Sequence, residues 1–132
     1  MSTYKICIAG SRDFNNYVLL SNTVDAFIKT IMLTGEFTDI EIVSGTAKGA
    51  DQLGERYAQE HEYFVKQFPA YWGHYGKAAG PIRNEQMASY SDFIFIFWDG
   101  KSKGSRSMIK CAQKCKKPYT IIFDGIEVKD NE

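Results

Sequence analysis

Five short apolar runs separated by four segments of helical periodicity constrain this chain more than any other feature. The runs are Tyr4 to Ala9, Ile40 to Val43, Tyr63 to Phe68, Phe93 to Trp98 and Tyr119 to Phe123. Each is short, mostly apolar and reads as a strand; Tyr4 to Ala9 and Phe93 to Trp98 have the pattern of strands buried on both faces. Between Tyr17 and Thr34, apolar Leu20, Val24, Phe27, Ile28 and Ile31 recur at steps of three and four, which predicts an amphipathic helix ending near Gly35. Further helices are expected from about Ala47 to Glu60, from Gly80 or Pro81 to Tyr90, and from Gly104 to Lys114, and Ile126 to Val128 reads as a short edge strand. Pro81 suits a first helical turn, where its missing N–H costs nothing. Strands alternating with helices imply right-handed crossovers and a mostly parallel sheet of about five strands covered on both faces, an α/β fold.

Two strand-to-helix junctions are punctuated by glycine. Ala9-Gly10-Ser11-Arg12 ends the first strand, and Ser44-Gly45-Thr46-Ala47-Lys48-Gly49-Ala50-Asp51 follows the second. Glycine admits positive φ and close approach to bare backbone, and free N–H groups at a helix start favour an anion, so the second turn reads as a phosphate cradle. In a doubly wound sheet, ligands sit beyond the carboxyl ends of the strands where strand order reverses. With the order 3-2-1-4-5, that crevice places Gly10, Ser11 and Arg12 opposite Trp98, Asp99 and Gly100, with Gly45 and Thr46 flanking. Arg12, Lys48, Lys77, Arg83, Lys101, Lys103 and Arg106 all lie in or near such junctions, so a positive mouth is expected.

Composition narrows the partners. At 132 residues, one domain spanning residues 1–132 is the simplest organisation. Lys plus Arg and Asp plus Glu are both 16, so the overall field offers no bulk attraction to nucleic acid or membrane, and any anion site must be local. No apolar stretch approaches the ~20 residues of a membrane span, and Met1 to Lys5 leads straight into a strand, which predicts a cytoplasmic protein. Cys7, Cys111 and Cys115 are odd in number and read as reduced, mostly buried fillers. Cys111 and Cys115, at i and i+4, would share a helix face, but no metal site and no cofactor is expected. His61, in a charged helix end, reads as surface.

Four motifs in order, Gly10-Ser11-Arg12, Ser44 to Asp51, Gly80-Pro81-Ile82-Arg83-Asn84 and Trp98 to Ser105, resemble the SLOG superfamily of DprA-like and Lonely Guy-like proteins, and most nearly its small stand-alone YspA-like branch. The resemblance implies a Rossmann-like three-layer α/β/α fold, a nucleotide or nucleotide-derived ligand, and a homo-oligomer. Its Lonely Guy-like branch cleaves the N-glycosidic bond of nucleoside monophosphates with an arginine and a glutamate. Arg83 aligns with that arginine, but Met108 stands where the glutamate would be. Glu85 and Asp99 are the candidate replacements.

The expected ligand-binding residues are therefore Gly10, Ser11, Arg12, Gly45, Thr46, Ala47, Lys48, Gly49, Arg83, Asn84, Asp99, Gly104 and Ser105. Each has a plainer role available. Gly45 and Gly49 can serve only close packing of helix on strand, Ser11 and Ser105 can be helix caps, and Arg12 and Arg83 can lie in solvent. Asp51 suits the first-turn dipole. Tyr71, Trp72, His74 and Tyr75 form an aromatic loop suited equally to stacking on a base and to packing on a neighbouring subunit. A binding module for sensing or sequestration is the expected function, with a nucleoside monophosphate N-glycosidase as the alternative.

Overall fold

The computed structural model describes residues 2–123, and the strand expected at 126–128 lies outside them. Five strands, β1 (Thr3–Gly10), β2 (Asp39–Ser44), β3 (Phe64–Gln67), β4 (Phe93–Trp98) and β5 (Tyr119–Phe123), form one parallel sheet in the order β3-β2-β1-β4-β5. The chain runs outward from β1 through β2 to β3, then returns to the other side of β1. Strand order reverses between β1 and β4, where Gly10 pairs with Phe97.

Alternate residues of the central strands feed two cores, as the period of two requires. Ile6, Ile8, Ile40, Ile42, Phe95 and Phe97 pack against α1 (Tyr17–Leu33) and α2 (Ala50–Glu60). Cys7, Ala9, Val43, Ile94 and Ile96 pack against α4 (Ala79–Tyr90) and α5 (Lys103–Lys114), which supply Met87, Ala88, Met108 and Ala112. Ile6 and Ile8 are fully buried, and each such side chain contributes about 1.5–3 kcal/mol relative to exposure. The result is a Rossmann-like α/β fold, with helices on both sheet faces.

Local chemistry moves several boundaries. Helix α2 starts at Ala50 rather than Ala47, because Thr46 has φ 62° and Gly49 φ 82°, which no right-handed helix admits. The aromatic stretch is not wholly a loop. It contains a single helical turn, α3 (Trp72–Tyr75), and a 3₁₀ turn over Gly76–Ala78 that runs into α4. Helix α1 is capped by Asn16, whose Oδ1 accepts the Leu19 N–H at 3.0 Å. The cap of α5 is Ser102, not Ser105: its Oγ accepts the Ser105 N–H at 3.2 Å. Cys7 is buried, whereas Cys111 on α5 and Cys115 at its C-terminal cap are half-buried against the second core. His61, exposed at the end of α2, stacks on Tyr57 with ring centroids 4.1 Å apart. Among the described residues, no helix is long and apolar enough to cross a membrane.

Candidate functional site

A cavity of about 740 Å³ opens at the carboxyl edge of the sheet, between the ends of β1 and β4 and the first turns of α4 and α5. Backbone geometry builds its floor. The Ser11 N–H donates to the Phe97 carbonyl at 2.9 Å, and Ser11 Oγ accepts the Asp99 N–H at 3.1 Å, tying the two diverging strands together. That bond shows why Gly10 is glycine: a Cβ there would overlap the Phe97 carbonyl oxygen. Ser11 is thus a clasp of the crevice and not the cap of α1.

The Ser44 to Asp51 turn is largely filled by the protein itself. Its N–H groups at Thr46, Ala47 and Ala50 donate to Ser44 Oγ, Asp51 Oδ2 and the Ser11 carbonyl respectively. A Cβ on Gly45 would lie 2.6 Å from Arg83 Nη1 and 2.7 Å from Asp51 Oδ2, so this glycine makes room for Arg83 and Asp51. Gly49, at φ 82°, makes room for the Ser11 and Arg12 carbonyls. The turn expected to cradle phosphate directly instead seats the side chains and backbone that face the cavity. Ala47 lines the cavity; Gly45, Thr46, Lys48 and Gly49 do not.

Helix α4 supplies Arg83 and Asn84. Arg83 Nη1 donates to the Gly45 carbonyl at 2.6 Å and its Nε to Asn84 Oδ1 at 2.9 Å, which fixes the guanidinium plane. Nη2 makes no hydrogen bond among the described residues, leaving part of the fork for an anion. Asn84 passes the constraint on: its Nδ2 donates to the Gly104 carbonyl at 3.3 Å and to Ser107 Oγ at 3.2 Å, locking α4 to the start of α5. Gly104 and Ser105 line the cavity there, where a helix begins and its dipole is positive.

Asp99 sits at the rim, exposed, with Oδ1 accepting the N–H groups of Lys101 and Ser102 at 2.8 and 2.9 Å. These two backbone bonds hold its carboxyl below the usual range. Its role in the structure is to shape the β4-to-α5 loop. Glu85 points elsewhere: on the outer side of α4 it pairs with Lys114 at 3.1 Å and does not line the cavity, so the structure does not place it as the replacement acid. The helical step explains this, since two residues beyond Arg83 the side chain turns to the far face. Met108 does line the cavity and is buried, putting a thioether where the glycosidase pattern has its acid.

Asp51, Trp72 and Ser107 are among the cavity residues outside the expected set. Asp51 is 5 % exposed, and burial pushes its carboxyl up to about 7 despite the Ala47 N–H and the nearby Arg83 charge. Its place in a first helical turn was a sequence signal, but only the packing of Arg83 over Gly45 brings it to the cavity wall. Trp72 comes from the aromatic stretch and lies over Gly80, where a Cβ would approach Trp72 Cη2 to 3.3 Å. Ser107 reaches the wall one helical turn past Lys103. Four cations line the cavity, Arg12, Lys77, Arg83 and Lys103, against three carboxylates, Asp13, Asp51 and Asp99, while Lys48, Lys101 and Arg106 of the expected positive mouth do not line it.

Comparison with known proteins gives one family model and a curated relative. The family model described as "YspA, cpYpsA-related SLOG family" matches residues 4–75, from β1 through α3, and includes both glycine turns. The "Gene 61 protein" of Mycobacterium phage D29 is 34% identical over 89 residues, covering 63% of this chain and 71% of that protein. No solved structure matches the chain. With a sheet reversing at the Gly10 turn and more than half of its residues matched, the chain belongs to the YspA, cpYpsA-related SLOG family.

Proposed function

We propose that this protein holds a nucleotide or nucleotide-derived small molecule in the cavity at the carboxyl edge of the sheet, for sensing or sequestration. The observation that carries the reading is Arg83, oriented by two hydrogen bonds beside the α5 N-terminus in a cavity of about 740 Å³. That volume lies within the range of small-ligand sites, and an oriented guanidinium beside a helix start matches phosphate. In this reading Arg83 and the first-turn N–H group of α5 at Gly104 take a phosphate, with Ser105, whose N–H is taken by the Ser102 cap, lining the wall beside them. Gly10 and Ser11 form the floor, Arg12 guards the entrance, and Asn84 holds Arg83 in place. Gly45, Thr46, Ala47, Lys48 and Gly49 act as the frame that seats Arg83 and Asp51, and Asp99 as the rim. Trp72 supplies a face on which a base stacks.

Calorimetric titration of mono-, di- and cyclic nucleotides and ADP-ribose derivatives tests the reading. Saturable binding of at least one, weakened in Arg83→Ala, supports it; silence across the panel, with no small molecule released on denaturation, removes it. On the composition and the family resemblance, we also propose a cytoplasmic homo-oligomer, which fractionation and sedimentation equilibrium would check.

A hydrolase reading survives through one observation the sequence did not offer. Asp51 lines the cavity with a carboxyl raised to about 7, suited to proton transfer near neutral pH, while Glu85 is turned away and Asp99 is tied to the backbone. Free base released from a nucleoside monophosphate, and lost in Asp51→Asn, would favour it. An intact nucleotide after prolonged incubation with stoichiometric protein would exclude that substrate.

A further inference from the structure

The outer face of α5 carries a charge pattern the nucleotide cavity does not use. Between Gly100 and Phe123 lie seven of the chain's sixteen cations and no Asp or Glu, although the full sequence balances at 16 and 16. Lys103, Arg106, Lys110 and Lys114 are spaced i, i+3, i+7 and i+11, so they share one helix face. Together with Ser107 and Cys111 they line a second cavity of about 410 Å³. Like charges at such spacings on one helix face repel, and an anion between them relieves that repulsion. Among the described residues only Lys114 of the four has a carboxylate partner, Glu85, at the far end of the row. Arg106 lies over the Trp98 ring, 5.7 Å from its centroid.

The two cavities meet. Lys103 and Ser107 line both. At the junction Ser107 Oγ accepts the Asn84 amide, which fixes this hydroxyl between the two cavities. We propose that Lys103, Arg106, Ser107 and Lys110 form a second phosphate subsite continuous with the nucleotide cavity. The ligand is then a nucleotide carrying at least two phosphate groups, separated by one to two helical turns, about 5–10 Å. Continuity through Lys103 and Ser107 puts both anions on one molecule, and the guanidinium of Arg106 suits phosphate better than a lone carboxylate. This inference rests on the nucleotide reading above.

The test is calorimetry at low salt with nucleoside 5′-monophosphates, 3′,5′-bisphosphates and 5′-triphosphates of each common base. The wild type is expected to bind a bis- or triphosphate about tenfold or more tightly than the monophosphate of the same base, the strength of one charge-assisted contact. In Arg106→Gln/Lys110→Gln that ratio is expected to fall below about threefold, with monophosphate affinity changed by less than about twofold. Lys29→Gln/Lys66→Gln removes the same charge from α1 and β3 and is expected to leave the ratio unchanged. A wild type that does not discriminate overturns the inference. So does a ratio unmoved by the Arg106 and Lys110 substitutions, an equal loss of mono- and polyphosphate affinity, or an equal effect of the Lys29 and Lys66 control. In all these cases monophosphate binding persists in the wild type and the nucleotide reading stands. Failure of every nucleotide to bind the wild type removes both.

Discussion

Asp51 carries the sharpest consequence at the scale of single residues. Burial raises its carboxyl from 3.8 to about 7, so between roughly pH 4 and 7 the folded chain retains a proton that the unfolded chain has released. Its contribution to stability therefore falls as pH rises through that window and is constant above it. Asp51→Asn keeps an acceptor for the Ala47 N–H without the charge. Its stability relative to wild type is expected to rise by on the order of 3 kcal/mol between pH 4 and 8, measured by urea unfolding. A difference that does not change with pH would contradict the burial account. Gly49 gives a second prediction at this scale. A Cβ at φ 82° would strike the Ser11 and Arg12 carbonyls, so Gly49→Ala should cost about 2–4 kcal/mol, while Gly73→Ala, with open space around it, should cost far less. Such roles were only half legible in the sequence. The glycines of the Ser44 to Asp51 turn marked a close approach, but what approaches is Arg83, 38 positions away, and no local pattern reports that distance in sequence.

Elements were more legible than the contacts between them. Strand β4 matches its expected limits because a run of six apolar residues between Asp92 and Asp99 leaves little choice. The start of α2 moved by three residues because left-handed backbone at Thr46 and Gly49 is invisible to hydrophobic periodicity. Helix α3 is too short for any periodic signal. It nevertheless puts Trp72, itself exposed, on the cavity lining, where Tyr71 and Tyr75 do not reach. Of the two uses open to this aromatic stretch, the placement of Trp72 favours stacking. Trp72→Ala is therefore expected to weaken nucleotide binding by about 10-fold, in line with about 1–3 kcal/mol per stacked base, with Tyr71→Ala changing it by less than twofold. Equal losses in both variants would assign the stretch a different role. Calorimetry decides between them.

Across the whole molecule, topology was the most legible feature and the composite site the least. Alternation of strands and helices gave the parallel sheet, and the supposed order 3-2-1-4-5, which the structure has, placed a crevice between β1 and β4. That crevice collects Gly10, Ser11, Arg12, Ala47, Arg83, Asn84, Asp99, Gly104 and Ser105 from four segments of the chain. Sequence order alone could not separate these from Glu85, one residue past Asn84 yet facing Lys114. A balanced total charge likewise concealed a local excess of cations, because carboxylates concentrate on other elements. We propose above that the oriented Arg83 makes this crevice a phosphate-binding site. Its most direct test is calorimetric titration of wild type and Arg83→Ala with the best-binding nucleotide of the panel. The account predicts saturable binding by the wild type and at least about a 10-fold loss in the variant, as expected for a charge-assisted contact worth about 1.5–3 kcal/mol. Equal affinity of the two proteins would contradict it.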